Sequence, residues 1–590
     1  MTHGYSSEKS IQILIALLKK HKINQIIISP GSTNVTFAGS VQNDPFFKVF
    51  SCIDERSAAY MACGMAYETG EPVCISCTGA TSSRNYMPGL TEAFYRKLPV
   101  IAITSSQPIG RVGQLVPQVT DRSVQPNDLV KLSVTLPIIH SGEEEWECEI
   151  KVNNALLECR RNGGGPVHIN LQTEYSKDFS VINLPNVRKI TRYTFMDDLP
   201  TLSNLKIGIY VGSHKRMSSR LENAIDAFCE VYDSVVFCDH TSGYHGKYKV
   251  LYEIVSFQEQ LVNKQIPDVM IHIGEMSGAY GGTWRAKEIW RVNEDGELRD
   301  GYKLLTKIFE MPEEYFFEQY VKKENSSPKN DSLKLEYYTA CYNRARRLRN
   351  MKVDLPFSLF WIAKQTSMLI PENSVIHFAI LNSLRAWNFF ELPENVDSIC
   401  NVGAFGIDGC LSTMIGSALI NPGKIHFLVT GDLAFFYDMN ALGNRDIGGN
   451  VRILLINNGK GTQFTAYNSM AQIVFGEDTD RYIAAAGHYG DKSTDLVRHF
   501  ASDLNFAYRS AKSKEEYISN LEWFLEPEIG EKSKLYEVFT DAEKESDALK
   551  IMLNLEVDKE AALKNKVASV VKGLVGETAF ENISNMRHKL

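Results

Sequence analysis

At 590 residues the chain is long enough for three or four domains and several buried cores. With 44% hydrophobic and 23% charged residues it has the composition of a soluble globular protein. A net charge of −8, from 63 basic and 71 acidic residues, argues against nucleic acid or an anionic membrane surface as the main partner, and no apolar run approaches the roughly 18 residues of a membrane span.

The first apolar patch, Ile13 to Leu18, is followed by lysine and carries no small-residue cleavage site. It reads as an amphipathic helix running to Lys20 and not as a signal peptide. Up to residue 185, strand patterns at 25–29, 73–77, 100–104 and 166–171 alternate with helical ones, including a helix after Asp54, as in a parallel α/β domain. A polar stretch with Pro185 and Pro200 near its ends reads as a linker. Strands are expected again at 206–212, 234–240 and 269–274, and a charged, Ser/Pro/Asn-rich stretch at 321–334 reads as a second linker. The expected domains are therefore 1–185, 186–340 and 341–540, each a parallel β-sheet flanked by helices, followed by a helical extension over 541–590 with a stripe at Ala548, Met552 and Leu555. Eleven cysteines, an odd number lying mostly within apolar runs, point to reduced thiols and a cytoplasmic protein. Cys74 and Cys77 form a lone CxxC inside what reads as a buried strand, so neither zinc nor redox chemistry is expected there.

The third domain holds the most informative stretch, Gly431 to Gly461. Gly431-Asp432 follows one short β-branched run and Asn457-Asn458 follows another, with a helix-compatible segment between, which reads as a βαβ unit. Asp432 and Asn458 then stand at neighbouring carboxyl ends of a sheet, where open α/β folds bind ligands. Either dipeptide alone reads equally as a turn. Together they offer hard oxygen ligands to Mg²⁺ or Ca²⁺, and a metal-anchored diphosphate is the inference. In the first domain, Asp54-Glu55 precedes a helix rich in small residues, where two acids are either favoured by the helix dipole or aimed at a ligand.

Gly-Asp, two dozen residues and then Asn-Asn resembles the thiamine diphosphate (ThDP) signature of 2-oxo-acid decarboxylases and carboligases. SPGSTNVTFAG (29–39), DERSAAYMACGMAYETG (54–70), CTGATSSRNYMPGL (77–90), NSL (382–384) and GAFGIDGCLST (403–413) extend the likeness to the SEPHCHC synthases, ThDP carboligases whose metal motif also begins GDL. The resemblance implies pyrimidine-binding, middle and diphosphate-binding domains in that order. It places Mg²⁺ on the side chains of Asp432 and Asn458 and the backbone carbonyl of Lys460, with Gly431, Leu433, Gly461 and Thr462 around the cofactor; Leu433 stands where the wider family usually has glycine. It makes Glu55 the acid that sets the tautomer of the cofactor's pyrimidine and Ile407, near Phe405, the prop for its bent shape. It puts Asn382 and Ser383 near the diphosphate, and Thr78, Gly79 and Gln118 near the pyrimidine and the reacting centre. Without it, Ile407 reads equally as core and Ser383 as a helix cap. It also implies a homo-oligomer, dimer or tetramer, in which Glu55 of one chain meets the metal site of another.

The likeness fails at the substrate clamps. Where that family carries arginine, this chain has Thr33 (followed by Asn34), Trp387, Val402 and His245, with Arg385 and Arg84 as nearby cations. Arginine forks suit carboxylates, so their loss points to a smaller or less charged donor than 2-oxoglutarate, with pyruvate the first choice and a pocket of Val402, Phe405 and Trp387 to receive it. The expected reaction is decarboxylation of a 2-oxo acid and addition of the resulting enamine to an aldehyde or ketone, a nucleotide-linked ketosugar among the candidates, with Glu55, Gln118 and Arg84 at the reacting centre. A simple decarboxylase, an enzyme acting on 2-oxoglutarate and an inactive assembly protein are the alternatives. The middle segment has no GxGxxG, and FAD is not expected.

Overall fold

The computed structural model describes residues 4–259, 265–278, 286–325 and 335–556. Within these ranges the chain forms two compact units, one of residues 4–194 and 296–308, the other of residues 195–295 and 309–556.

The first unit begins with helix Lys9–Lys20, whose Ile11, Leu14, Ile15, Leu17 and Leu18 are wholly buried. Its sheet consists of β1 (Gln25–Ile28), β2 (Lys48–Ser51), β3 (Val73–Thr78), β4 (Val100–Ser106), β5 (Leu132–Leu136) and β6 (Val167–Gln172). All pairs are parallel, in the order β2-β1-β3-β4-β6-β5. Parallel strands covered on both faces read as unbroken apolar runs, which is why VCISCT and VIAITSS are buried almost end to end. Strand β7 (Thr191–Thr194) ends this stretch of the unit.

The second unit contains β8 (Ile207–Val211), β9 (Val235–Cys238), β10 (Lys249–Leu251), β11 (Val269–Ile273) and β12 (Glu288–Asn293), parallel in the order β10-β9-β8-β11-β12. After β13 (Leu305–Glu310) and helix Glu313–Asn325 comes a further sheet. It is built of β14 (Val375–Phe378), β15 (Asp397–Cys400), β16 (His426–Gly431), β17 (Val451–Asn457), β18 (Ala507–Ala511) and β19 (Lys534–Phe539). It too is parallel throughout, in the order β15-β14-β16-β17-β19-β18. The first and last sheets thus share one topology, each reversing direction beside its first strand, at β1/β3 and at β14/β16. Such switch points leave a crevice at the carboxyl ends of the strands.

Of the expected linker at 321–334, residues 321–325 are helical and 326–334 lie outside the described residues. Of the expected helical extension, helix Ala542–Leu553 is present with Ala548 and Met552 buried, and 557–590 lie outside the described residues. No described helix is long and apolar enough to cross a membrane.

Four histidines, His168, His240, His272 and His377, are buried deeply enough that desolvation pulls each down to about 3. The folded chain keeps them neutral, whereas the unfolded chain protonates them below about 6.5. Their contribution is therefore complete above pH 6.5 and lost as pH falls towards 3. Asp432 and Glu545, raised by burial to about 6 and about 7, and Glu253 and Glu537, also raised by burial, act in the opposite direction, but they are outnumbered once His21 and His245, pulled down to about 4, join the four histidines. The expected result is an unfolding free energy, from urea titrations, that holds between pH 7 and 8 and falls from pH 6.5 to 4.5 by about 1 kcal/mol or more per pH unit. An unfolding free energy that rises as pH is lowered over that window contradicts the reading.

Candidate active site

Strands β16 and β17 pair with Gly431 opposite Ile456, so Asp432 and Asn458 leave the sheet side by side. Asp432 is 4% exposed. Its Oδ1 accepts the Leu433 N–H at 2.7 Å, and its Oδ2 accepts those of Gly459 at 2.7 Å and Asn458 at 3.2 Å. Even with three donors, burial holds the carboxyl up at about 6. Gly459 has φ +81°, and a Cβ there would overlap the Asp491 carboxylate, so the loop can turn back over Asp432 only with glycine. The side-chain Oδ1 of Asn458 is buried and accepts no hydrogen bond.

A buried carboxylate kept ionised against desolvation, beside an unsatisfied amide oxygen, fits a hard divalent cation, which would relieve both costs at once. Among the described residues no three His, Cys, Asp or Glu side chains gather as a metal site, so the donor set is one of carboxylate, amide and backbone oxygens. The Lys460 ammonium pairs with Asp480 at 2.6 Å, which leaves its backbone carbonyl as the group to offer a cation.

These residues line a cavity of about 190 Å³ at the β14/β16 switch point. Gly431, Leu433, Gly461, Thr462 and Ile407 are in its wall, and Ile407 also packs on the core beneath. From the β14 side come Asn382, Ser383 and Arg385, on a short helix entered through Leu381 at φ +71°. Asn382 Nδ2 donates to Thr462 Oγ1 at 3.0 Å and its Oδ1 accepts from Arg385 at 3.3 Å, tying the two loops together. Ser383 is buried and caps no helix.

Three residues expected around the donor do not line this cavity. Trp387 is wholly buried with its ring 5.4 Å from that of Phe378, Val402 is buried close to Gly278 and Leu384, and Phe405 is half-buried with φ +55°. His245 also lies away from it, its Nδ1 2.9 Å from the Glu394 carbonyl and its ring pulled down to about 4 by burial.

Residues that the sequence did not single out complete the wall. Helix Ala542–Leu553 contributes Glu545, Ser546 and Leu549. Both Glu545 oxygens lie 3.0 Å from the Leu359 N–H and one accepts from Thr540 Oγ1 at 2.7 Å, while burial raises the carboxyl to about 7. Only tertiary docking brings this helix here, and its local pattern carries no sign of a site.

In the first unit, Asp54 caps helix Glu55–Thr69, accepting from the N–H groups of Arg56 at 2.9 Å and Ser57 at 3.4 Å. The helix-start role thus falls to Asp54. Glu55 is half-buried and its carboxylate accepts from Asn85 Nδ2 at 3.4 Å. At the β1/β3 switch point a Cβ on Gly31 would overlap Thr78, and one on Gly79 would overlap the Arg122 guanidinium. Thr78 Oγ1 donates to Ser82 at 2.9 Å. Gln118, at φ +63°, and Arg84, donating to the Asp121 carbonyl at 2.8 Å, are exposed. Thr33 donates to the Ser105 carbonyl at 2.7 Å, and Asn34 bridges Ser29, Ser76 and Ser105, so both are spent inside the fold. Cys74 and Cys77 are buried with their thiols pushed up by desolvation, Cys77 to about 12.

The family model "Thiamine pyrophosphate enzyme, N-terminal TPP binding domain" matches residues 9–125. The 2-succinyl-5-enolpyruvyl-6-hydroxy-3-cyclohexene-1-carboxylate synthase of Phocaeicola vulgatus is 31% identical over 92% of this chain and 98% of its own length. The proteins of that name from Bacteroides fragilis (31%, 92% and 98%) and Flavobacterium psychrophilum (27%, 90% and 95%) are similar along their length as well.

Gly459→Ala should leave the fold intact but weaken Mg²⁺-dependent ThDP binding at least about tenfold in calorimetric titration, because a non-glycine residue at this φ and contact displaces the loop that carries Asn458. Unchanged affinity would remove the loop from the site.

Proposed function

The chain belongs to the ThDP-dependent enzymes, in the family of the 2-succinyl-5-enolpyruvyl-6-hydroxy-3-cyclohexene-1-carboxylate synthases, and on that premise we propose that it is a Mg²⁺-dependent cytoplasmic carboligase. It decarboxylates a 2-oxo acid, pyruvate before others, and transfers the remaining fragment to an aldehyde or ketone acceptor, with a nucleotide-linked ketosugar as one candidate. The observation that carries the reading is the unsatisfied Asn458 Oδ1 beside the buried Asp432 carboxylate in one cavity.

Asp432, Asn458 and the Lys460 carbonyl would hold Mg²⁺ and through it the diphosphate, with Asn382, Ser383, Gly431, Leu433, Gly461 and Thr462 around them. Bound ThDP supplies the electron sink for loss of CO₂. Glu55 holds a proton on the pyrimidine ring nitrogen, a task suited to a carboxylate whose helix is already capped by its neighbour. Thr78, Gly79, Gln118 and Arg84 border that end. We assign residues 1–185 to the pyrimidine half, 186–340 to the middle domain and 341–540 to the diphosphate half. The active form is a homo-oligomer in which one chain's Glu55 serves its partner's cavity. Ile53, Tyr60, Met61 and Tyr67, exposed on and before the Glu55 helix, support such an interface.

The donor follows from the clamps. Arg385 and Lys460 are the cations in the cavity wall; the Lys460 ammonium pairs with Asp480, and a single guanidinium matches one carboxylate better than two. A second reading, 2-oxoglutarate as donor, is favoured by the name its relatives carry. CO₂ release over a panel of 2-oxo acids decides between them. Pyruvate is expected to turn over at least about tenfold faster in kcat/KM than 2-oxoglutarate, the discrimination of one misplaced charge; the reverse order establishes the second reading. Free aldehyde accumulating as fast as CO₂ when an acceptor is present would make the protein a simple decarboxylase.

Complementation tests the shared site. Glu55→Gln and Asp432→Ala should each be inactive, and chains reassociated from equal amounts should regain about a quarter of wild-type activity, since half the dimers are mixed and each has one intact site. No recovery would place both groups on one chain.

A further inference from the structure

Behind the loop that presents Asn458 lies a buried polar contact that the assignments above do not use. Strands β17, β19 and β18 are neighbours, and Glu537 on β19 stands opposite Leu455 on one side and Ser510 on the other. Side chains two residues apart on a strand share a face, so Asn457, Glu537 and Tyr508 lie on one face of three adjacent strands. Glu537 is wholly buried, and each of its oxygens takes one donor: Asn457 Nδ2 at 2.7 Å and Tyr508 Oη at 2.6 Å. Both partners donate, which fits the ionised form, yet desolvation still holds the carboxyl above its ordinary range. A carboxylate inside an apolar strand costs stability that two neutral hydrogen bonds only partly offset.

What this carboxylate fixes is the last residue of β17. Asn457 is 4% exposed and directly precedes Asn458. Its backbone carbonyl accepts from the Thr540 N–H at 3.1 Å, and its amide lies against Gly490, where a Cβ would stand 2.8 Å from Nδ2. On one side of Gly490, the Tyr489 ring stacks on Phe436, with centres 4.8 Å apart, and Phe436 belongs to the helix that begins at Asp432. On the other side, the Asp491 carboxylate meets Gly459. Residues 489–491 thus touch both halves of the candidate cation site, and the Asn457 amide is their seat. An amide can be turned either way about its last bond, but a carboxylate only accepts, so it admits only the orientation with Nδ2 towards it.

We propose that Glu537 is a positioning residue for the cation site: it orients the Asn457 amide, and through it the end of β17 and the 489–491 segment that together aim the Asn458 side chain. This rests on the reading of Asp432 and Asn458 as the cation site given above.

The experiment measures manganese(II) uptake by paramagnetic resonance in the presence of ThDP, beside thermal unfolding of the same proteins. Asn457→Asp sets two carboxyls against each other, and Glu537→Met removes the acceptor at similar length. Each is expected to weaken manganese binding by the folded chain at least about tenfold, the usual cost of losing a group that orients a metal ligand. Asn457→Asp/Glu537→Gln exchanges donor and acceptor across the same gap, and is expected to bind manganese within about threefold of wild type. A purely structural contact would lower the unfolding midpoints of the two single variants and leave their manganese affinity unchanged, and that result overturns the proposal. So does a double variant that binds no better than Asn457→Asp. Should Asn457→Asp not fold, Glu537→Met and the double variant decide. A wild-type chain that takes up no manganese removes the cation site itself and the role of Glu537 with it, whereas a wild type that binds while the variants match it removes the role alone.

Discussion

The candidate site rests on one electrostatic tension. Asp432 is a nearly buried carboxyl in a cavity wall, and the chain directs three backbone N–H groups at it without fully offsetting the cost of desolvation. Two of those donors come from the loop after β17, which can close over Asp432 because Gly459 takes a left-handed conformation. That closure also buries the Asn458 amide with its oxygen unsatisfied. A fold does not ordinarily accept an ionised acid and an idle amide oxygen in one cavity unless something else completes the arrangement. A carboxylate beside an amide oxygen is a donor set that suits a hard cation carrying further oxygens.

The surrounding architecture serves this tension twice over. The first and last sheets have the same strand order, so each opens a crevice beside its first strand. One crevice carries the cavity with Asp432, closed by the docked helix Ala542–Leu553 through Glu545. Beside the other, the turn at Thr78–Gly79 packs tightly against Gly31 and Arg122, while Glu55 heads its own helix with few contacts.

Much of this was legible in the sequence, for identifiable reasons. Parallel strands covered on both faces show up as apolar runs, and the two runs flanking Gly431 to Gly461 fix the neighbouring positions of Asp432 and Asn458. The roles of Asp54 and Glu55 could not be separated from their order alone; the hydrogen bonds assign the cap to Asp54. Glu545 was invisible because its position depends on where a distant helix docks. Trp387 and Val402 were expected around the donor because arginine stands there in similar chains, yet an aromatic or branched side chain without a charge to hold in the cavity packs into the core. Arg385, two residues before Trp387, is the one that lines the cavity.

The central claim is that Asp432 and Asn458 jointly hold a divalent ion. Manganese(II) paramagnetic resonance in the presence of ThDP tests it most directly. The account predicts a single tightly bound ion per wild-type chain, and affinity reduced at least about tenfold in Asn458→Ala, whose fold circular dichroism would verify. An Asn458→Ala protein that takes up manganese as tightly as the wild type would contradict it.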